Sequence, residues 1–196
     1  MKIGVVGAGS WGTALAHLLA TKGNPVTLWH RDPAVAQAIN ATHKNPKYLK
    51  DVRLPDSITG TIVLEEAIED QELVVSVVPS NAVREVIGRV AKQFGPDALL
   101  VSASKGIENE TLLTMHGVFK EILPAAMWPR VTFLGGPSFA REVAMGLPTA
   151  VSVAAEDLGA ARRVQAAFAA PYMRAYTTSD VMGIELGGAI KNVLAI

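Results

Sequence analysis

Lys191 stands in Gly187-Gly188-Ala189-Ile190-Lys191-Asn192, within a stretch whose apolar spacing predicts a helix. The residues three and four before it are glycines, so the ordinary Glu–Lys pairing at helical spacing is absent. Two glycines inside a helix cost about 1 kcal/mol each relative to alanine, which makes sense where something must approach that face closely. A lysine among small residues is partly desolvated, and its pKa falls toward the range useful to a general acid. A snorkelling surface lysine is the alternative, and spacing does not choose between them. Lys105, in Ser104-Lys105-Gly106, follows the apolar run Leu99-Leu100-Val101-Ser102-Ala103. At the carboxyl end of a strand its ammonium could polarise a carbonyl or hold a phosphate; it could also be a loop lysine beside a turn glycine. Gly135-Gly136-Pro137-Ser138 offers backbone N–H groups and a hydroxyl to an anion if Pro137 opens a helix, and is otherwise a plain strand-to-helix turn.

Gly7-Ala8-Gly9-Ser10-Trp11-Gly12 reads G-x-G-x-x-G, preceded by the apolar run Lys2–Val6 and followed by Leu15, Leu18 and Leu19 on one helical face. Strand, glycine turn and helix in that order predict a dinucleotide site. Gly7 permits the tight turn, Gly9 lets a pyrophosphate approach the backbone, and Gly12 lets helix and strand pack closely. The helix N-terminus adds free N–H groups and a partial positive charge. Hydride transfer to a ketone leaves an oxyanion that must be protonated, which gives the lysines above a task. Asp32 stands near the end of the second strand, where an acidic side chain can bind the ribose hydroxyls of NAD. Arg31 precedes it and can pair with the 2′-phosphate of NADP. The two pull in opposite directions; NADP is favoured, with NAD also accommodated. Asp32 can also simply cap a helix that opens on Pro33.

The elements that must hold these groups alternate. Strands are expected at 2–6, 25–30, 72–78, 98–103, 131–134, 149–154 and 173–177, and helices at 11–22, 33–40, 80–93, 110–122 and 157–169. This order predicts an α/β, Rossmann-like, doubly wound and mostly parallel sheet with helices on both faces. Residues 41–60 are polar, broken by Pro46 and Pro55 and without periodicity, and are expected to form a long surface connection. From Ser179, read as an N-cap, a further helix runs to Ile196 and ends on apolar residues without a stop signal. The expectation is a dinucleotide-binding domain over 1–178 and the first helix of a further domain over 179–196.

Among 196 residues, 18 Lys and Arg balance 18 Asp and Glu, with no basic block, so nucleic acid and anionic membrane are poor partners. No apolar run approaches the roughly 18 residues of a membrane span, and a soluble, cytoplasmic protein without stable membrane insertion is expected. Zero cysteines exclude disulfides and a thiol nucleophile. His17, His30, His43 and His116 lack metal-ligand spacing, and no metal is expected.

GAGSWGTALA at 7–16, LWHR at 28–31, SASKGIE at 102–108, GGPSFAREVA at 135–144 and ELGGAIKNVLAI at 185–196 together resemble the bacterial NAD(P)-dependent sn-glycerol-3-phosphate dehydrogenases. The resemblance covers essentially the whole chain. It implies reversible reduction of dihydroxyacetone phosphate to sn-glycerol 3-phosphate for glycerophospholipid synthesis. Ser10, Trp11, Arg31 and Ala140 would bind cofactor, alongside Gly7, Gly9 and Gly12. Lys105 would serve cofactor and substrate, Gly136 and Ser138 would contact substrate, Lys191 would be the proton donor and acceptor, and Asn192 its neighbour at the substrate. The resemblance also implies that 179–196 starts an all-helical second domain, which would bring more substrate contacts and a homodimer in the full-length protein. A β-hydroxyacid dehydrogenase, which shares the sheet and the lysine on the last helix, and a non-catalytic NADP(H)-binding module are the other readings; Ser104-Lys105-Gly106 and the 135–140 segment weigh against the first, and Lys105 together with Lys191 against the second.

Overall fold

The computed structural model describes residues 1–194, with side chains described as far as Ile190. In chain order the elements begin with β1 (Ile3–Val6), α1 (Ser10–Thr21), β2 (Val26–Trp29), α2 (Pro33–Thr42) and β3 (Ile58–Thr61). They continue through β4 (Leu73–Ser76), α3 (Ser80–Arg89), β5 (Leu99–Ser102), α4 (Met115–Ile122), β6 (Val131–Gly135) and α5 (Ala140–Ala144). β7 (Thr149–Ala154), α6 (Leu158–Phe168), β8 (Met173–Thr178) and α7 (Val181–Leu194) complete the described chain.

The strands lie in one sheet in the order β3-β2-β1-β4-β5-β6-β7-β8. The first six are mutually parallel; β7 runs antiparallel to β6, and β8 parallel to β7. The sheet is therefore Rossmann-like and mostly parallel, with a reversal at β7. Alternate residues of the central strands feed two separate apolar layers, as the pleat requires of a sheet covered on both sides. Ile3, Val5, Leu73, Val75, Leu99 and Val101 pack with helices α1, α2 and α6. Val6, Val74, Leu100 and Phe133 pack with α3, α4 and Val181 of α7.

Four local expectations are corrected. The 41–60 stretch is not all connection, because Ile58–Thr61 pairs with β2 as an edge strand. Helix α4 starts at Met115 rather than 110; Ile107 bridges to Thr114, and Leu112 between them takes φ 59°. No helix opens at Pro137, since α5 begins at Ala140. Asp180, not Ser179, caps α7: its Oδ1 accepts the Gly183 N–H at 2.8 Å. Among the described residues, no helix is long and apolar enough to cross a membrane.

Candidate functional site

β1 and β4 are neighbours, yet β2 and β3 lie on the other side of β1. The chain reverses its direction of winding there, and ligands of open α/β sheets bind outside the carboxyl ends of the strands at such a point. The glycine turn occupies it. Gly7 takes φ 115°, a left-handed value that side chains resist, and a Cβ there would also press on the Val77 carbonyl at 3.0 Å. At Gly12 a Cβ would run into the Gly7 carbonyl oxygen. Gly9 differs: its φ of −70° suits any residue, and nothing lies within 4 Å of its absent Cβ. The space over Gly9 faces outward at the N-terminus of α1, whose cap residue supplies no side-chain acceptor.

A groove of about 640 Å³ runs from this turn along the carboxyl edge, lined by Gly9, Trp11, His30, Arg31, Tyr48 and Lys105 among others. At its far end His30 is 8% exposed, and its Nδ1 accepts the Asp32 N–H at 3.0 Å. Burial pulls the imidazole pKa below its ordinary value, so His30 is neutral at pH 7. Arg31 is exposed at the groove wall. Asp32 is the N-cap of α2: its Oδ1 accepts the Ala34 N–H at 3.0 Å, with Pro33 at the first helical position.

Sequence reasoning passed over Asn45. It is fully buried; its Nδ2 donates to the Ala8 carbonyl and to Thr13 Oγ1, both at 2.9 Å, and its Oδ1 accepts the Lys47 and Tyr48 N–H groups. One amide thus ties the 43–57 loop to the glycine turn, and Ser10 Oγ adds a bond to the Tyr48 carbonyl at 3.2 Å. The Asn-Pro dipeptide at 45–46 is a turn signal, but nothing local reveals a partner 37 positions away.

Lys105 occupies the other end. Its Nζ lies 5.8 Å from the Trp11 ring centroid, within cation–π range. Its stem passes Gly188, whose absent Cβ would lie 3.8 Å from Lys105 Cγ. That is ordinary van der Waals distance, and nothing lies within 4 Å of the absent Cβ of Gly187, so among the described residues no approach requires a glycine at either position. Helix α7 is held at two further places. Ile184 covers Gly135 so closely that a Cβ there would be 2.5 Å from Ile184 Cγ2. Glu185 reaches the N-terminus of α4, where its Oε1 accepts the His116 N–H at 2.8 Å. Burial pushes the Glu185 carboxyl pKa up, against the pull of the Thr114, His116 and Met115 donors. Glu185, Lys105, Ser104, Gly135 and Gly188 line one small cleft. The α7 backbone carries position 191 one turn beyond Gly188; the Lys191 and Asn192 side chains lie outside the described residues.

Gly136, at φ 129°, backs onto β7, where a Cβ would meet Val151 Cα at 3.1 Å. Ser138 Oγ makes only a long 3.5 Å contact with the Gly136 carbonyl, which leaves the hydroxyl able to turn to another acceptor. Ala140 starts α5 and lines a separate groove with Ser10 and Tyr48, on the outer side of the glycine turn. Structure thus gathers Gly9, Trp11, Arg31 and Lys105 along one groove, and sets Gly135 beside Lys105, with Ser138 three residues further along the chain.

The loop carrying Lys105 is braced from behind. Arg84 Nε and Nη2 donate to both oxygens of Glu108 at 2.9 and 2.8 Å, and Thr111 Oγ1 donates to Glu108 Oε2 at 2.5 Å. These bonds lower the Glu108 pKa to about 2 from an ordinary 4.5. A carboxyl depressed in the folded state contributes stability above its unfolded pKa and loses it as pH falls toward the folded value. The melting-temperature gap between the wild type and Glu108→Gln is therefore expected to be full above pH 5 and to close between about pH 4.5 and 2. A gap that stays constant over that range would remove the ionised Arg84–Glu108 pair as its cause.

Comparison with known proteins agrees with this geometry. Residues 2–161 match the family model described as NAD-dependent glycerol-3-phosphate dehydrogenase N-terminus. A glycerol-3-phosphate dehydrogenase [NAD(P)+] of Geobacter metallireducens is 50% identical over 195 residues, covering 100% of this chain and 58% of that protein. The corresponding protein of Leptospira biflexa is 44% identical over 196 residues, 100% of this chain and 59% of the relative. The crystal structure of the Coxiella burnetii glycerol-3-phosphate dehydrogenase superposes with a TM-score of 0.91 at 34% identity, covering 99% of this chain and 58% of that one. The chain spans a little under three-fifths of the length of these relatives. A glycine turn at the winding reversal, a lysine bridging that turn to the last helix, and a family match over most of the sequence converge: the chain belongs to the NAD-dependent glycerol-3-phosphate dehydrogenase family.

Proposed function

We propose that this chain supplies the cofactor-binding part and the proton-donating helix of an NAD(P)-dependent glycerol-3-phosphate dehydrogenase. Residues 1–178 form the dinucleotide domain, and α7 opens a second, substrate-binding domain. The observation that carries the reading is the placement of Lys105 between Trp11 of the glycine turn and Gly188 of α7. One ammonium there adjoins both the nicotinamide end of the groove and the cleft beneath α7.

The dinucleotide supplies the hydride when bound. Gly9 leaves room for its pyrophosphate at the α1 N-terminus, Trp11 and Arg31 line its groove, and Ser10 and Ala140 would reach it from the neighbouring groove at the glycine turn. NADP is favoured over NAD through Arg31. Dihydroxyacetone phosphate is the substrate, with Lys105, Gly136 and Ser138 contacting it. Lys105 draws charge onto the carbonyl oxygen, and Lys191 transfers a proton to that oxygen as the C2 centre gains hydride, with Asn192 beside it. In the reverse direction Lys191 takes the hydroxyl proton. The full-length protein acts in the cytoplasm as a homodimer.

Titration of the chain with NADPH and with NADH, followed by tryptophan emission, tests the reading. Trp11 lies against Lys105, and Trp29 lines the same groove. Saturable quenching that is largely lost in Trp11→Phe is the expected result, with NADPH saturating at lower concentration. Absence of quenching by either dinucleotide would remove the cofactor assignment.

A further inference from the structure

Asp32 is the residue that ought to read a ribose diol, but both of its oxygens are engaged. Oδ1 accepts the Ala34 N–H as the cap of α2, and Oδ2 lies 3.5 Å from Lys47 Nζ. Lys47 is brought there by the buried Asn45 clamp, which accepts the Lys47 N–H and fixes the start of the 43–57 loop. Its ammonium also lies 5.8 Å from the Tyr48 ring centroid, and Tyr48 is a wall of the long groove. Asp32, Pro46, Lys47 and Lys50 line a second open hollow of about 380 Å³ at the start of α2. The two hollows abut, because Arg31 and Tyr48 line one while their chain neighbours Asp32 and Lys47 line the other.

The geometry points to Lys47 as a specificity-determining residue that sets the preference for a 2′-phosphorylated adenosine. It does so in two ways. It neutralises the carboxylate that would repel a phosphate dianion, and it adds a second cation in the hollow that abuts the groove lined by Arg31. A phosphate seated at the start of α2, where the two hollows abut, would draw on both Arg31 and Lys47, with Asp32 confined to capping. Two cations flanking a phosphate make charge-assisted bonds that a ribose hydroxyl cannot replace. This rests on the cofactor reading proposed above, and deepens it by assigning the discrimination to a residue on the loop after α2 rather than to Arg31 alone.

The test is equilibrium titration of wild type, Lys47→Ala, Lys47→Glu and Lys47→Arg with NADPH, NADH and adenosine 2′,5′-bisphosphate. Lys47→Ala is expected to weaken NADPH and the bisphosphate by about tenfold or more, as for loss of one charge-assisted phosphate contact. NADH should be unchanged or bind more tightly, because Asp32 is released. Lys47→Glu should lower the NADPH-to-NADH selectivity further, and Lys47→Arg should retain it. Equal weakening of NADPH and NADH by Lys47→Ala would assign Lys47 to holding the loop and overturn the proposal, as would no change in either. If wild type bound neither dinucleotide, the cofactor reading itself would fall, and this with it. Wild type that binds both while Lys47→Ala keeps the same selectivity leaves the cofactor reading standing and sinks Lys47 alone.

Discussion

Replacing Lys191 with alanine in the full-length protein should lower kcat by about 10³-fold while leaving the NADPH dissociation constant within about twofold, since general acid–base groups contribute roughly 10²- to 10⁴-fold. The split follows from where α7 sits. The cofactor groove is built from the glycine turn, the β2 end, Tyr48 of the 43–57 loop and the chain following β4 and β5, and α7 reaches it only through the Lys105 stem. Position 191 lies instead one turn beyond Gly188, against which the Lys105 stem packs. Loss of the ammonium there removes a proton source and leaves the dinucleotide contacts whole. Lys191→Arg should not restore turnover, because a guanidinium holds its proton at any working pH. Stopped-flow measurement of NADPH oxidation, alongside equilibrium binding, separates the two quantities. Turnover within tenfold of the wild type would mean that the proton comes from elsewhere, with Lys105 next in line.

The glycine turn gives the second large effect, as a contrast between two positions three residues apart. Gly12→Ala drives a methyl into the Gly7 carbonyl oxygen; a Cβ has no torsion of its own to turn it away and the carbonyl is backbone, so neither can swing aside. Overpacking of this kind costs on the order of 3 kcal/mol, and the melting temperature should fall by about 8 °C or more. Gly9→Ala meets no protein atom and asks for no unusual φ, so its melting temperature should stay within about 2 °C of wild type. Its NADPH affinity should nonetheless fall by about 30-fold or more, because the methyl fills the space over which a pyrophosphate must lie. A Gly9→Ala chain that binds NADPH normally would show that the phosphates lie elsewhere, whatever happens at Gly12.

Much of the fold was legible because the central strands are short apolar runs covered on both faces, and Leu73-Val74-Val75 can hardly be anything else. Strand β3 was not, because Ile58-Thr59-Gly60-Thr61 is an edge strand with an exposed Thr59 and a glycine that makes room for α2. Its identity as a strand comes from pairing with β2, which no local pattern records. The early part of 110–122 looked helical by spacing, yet Glu108 bonds to Arg84 and Thr111, and Ile107 bridges to Thr114 across the turn between them. The glycine turn and Lys105 announced themselves by type and place in the chain. Asn45, Lys47 and Glu185 did not, since each acts on a partner far away in sequence: Ala8 for Asn45, Asp32 for Lys47 and His116 for Glu185. Asp32 showed both of its possible uses in sequence, and the cap geometry together with Lys47 accounts for both oxygens.

The reversal of β7 and β8 makes α7 a ruler. Because Thr178 ends β8 level with Ala154, and Ala154 lies opposite Phe133, the chain enters α7 below the carboxyl edge and must climb past it. Ile184 pins the climb at Gly135, and from that pin to position 191 there are seven residues, two turns, about 10 Å of rise. One residue inserted in that interval would swing position 191 by about 100° and lift it by about 1.5 Å, with no loop between the two points to absorb the error. The 43–57 connection can change its length at its exposed parts and keep its anchors. The count from 184 to 191 cannot change at all without moving the proposed proton donor off its mark.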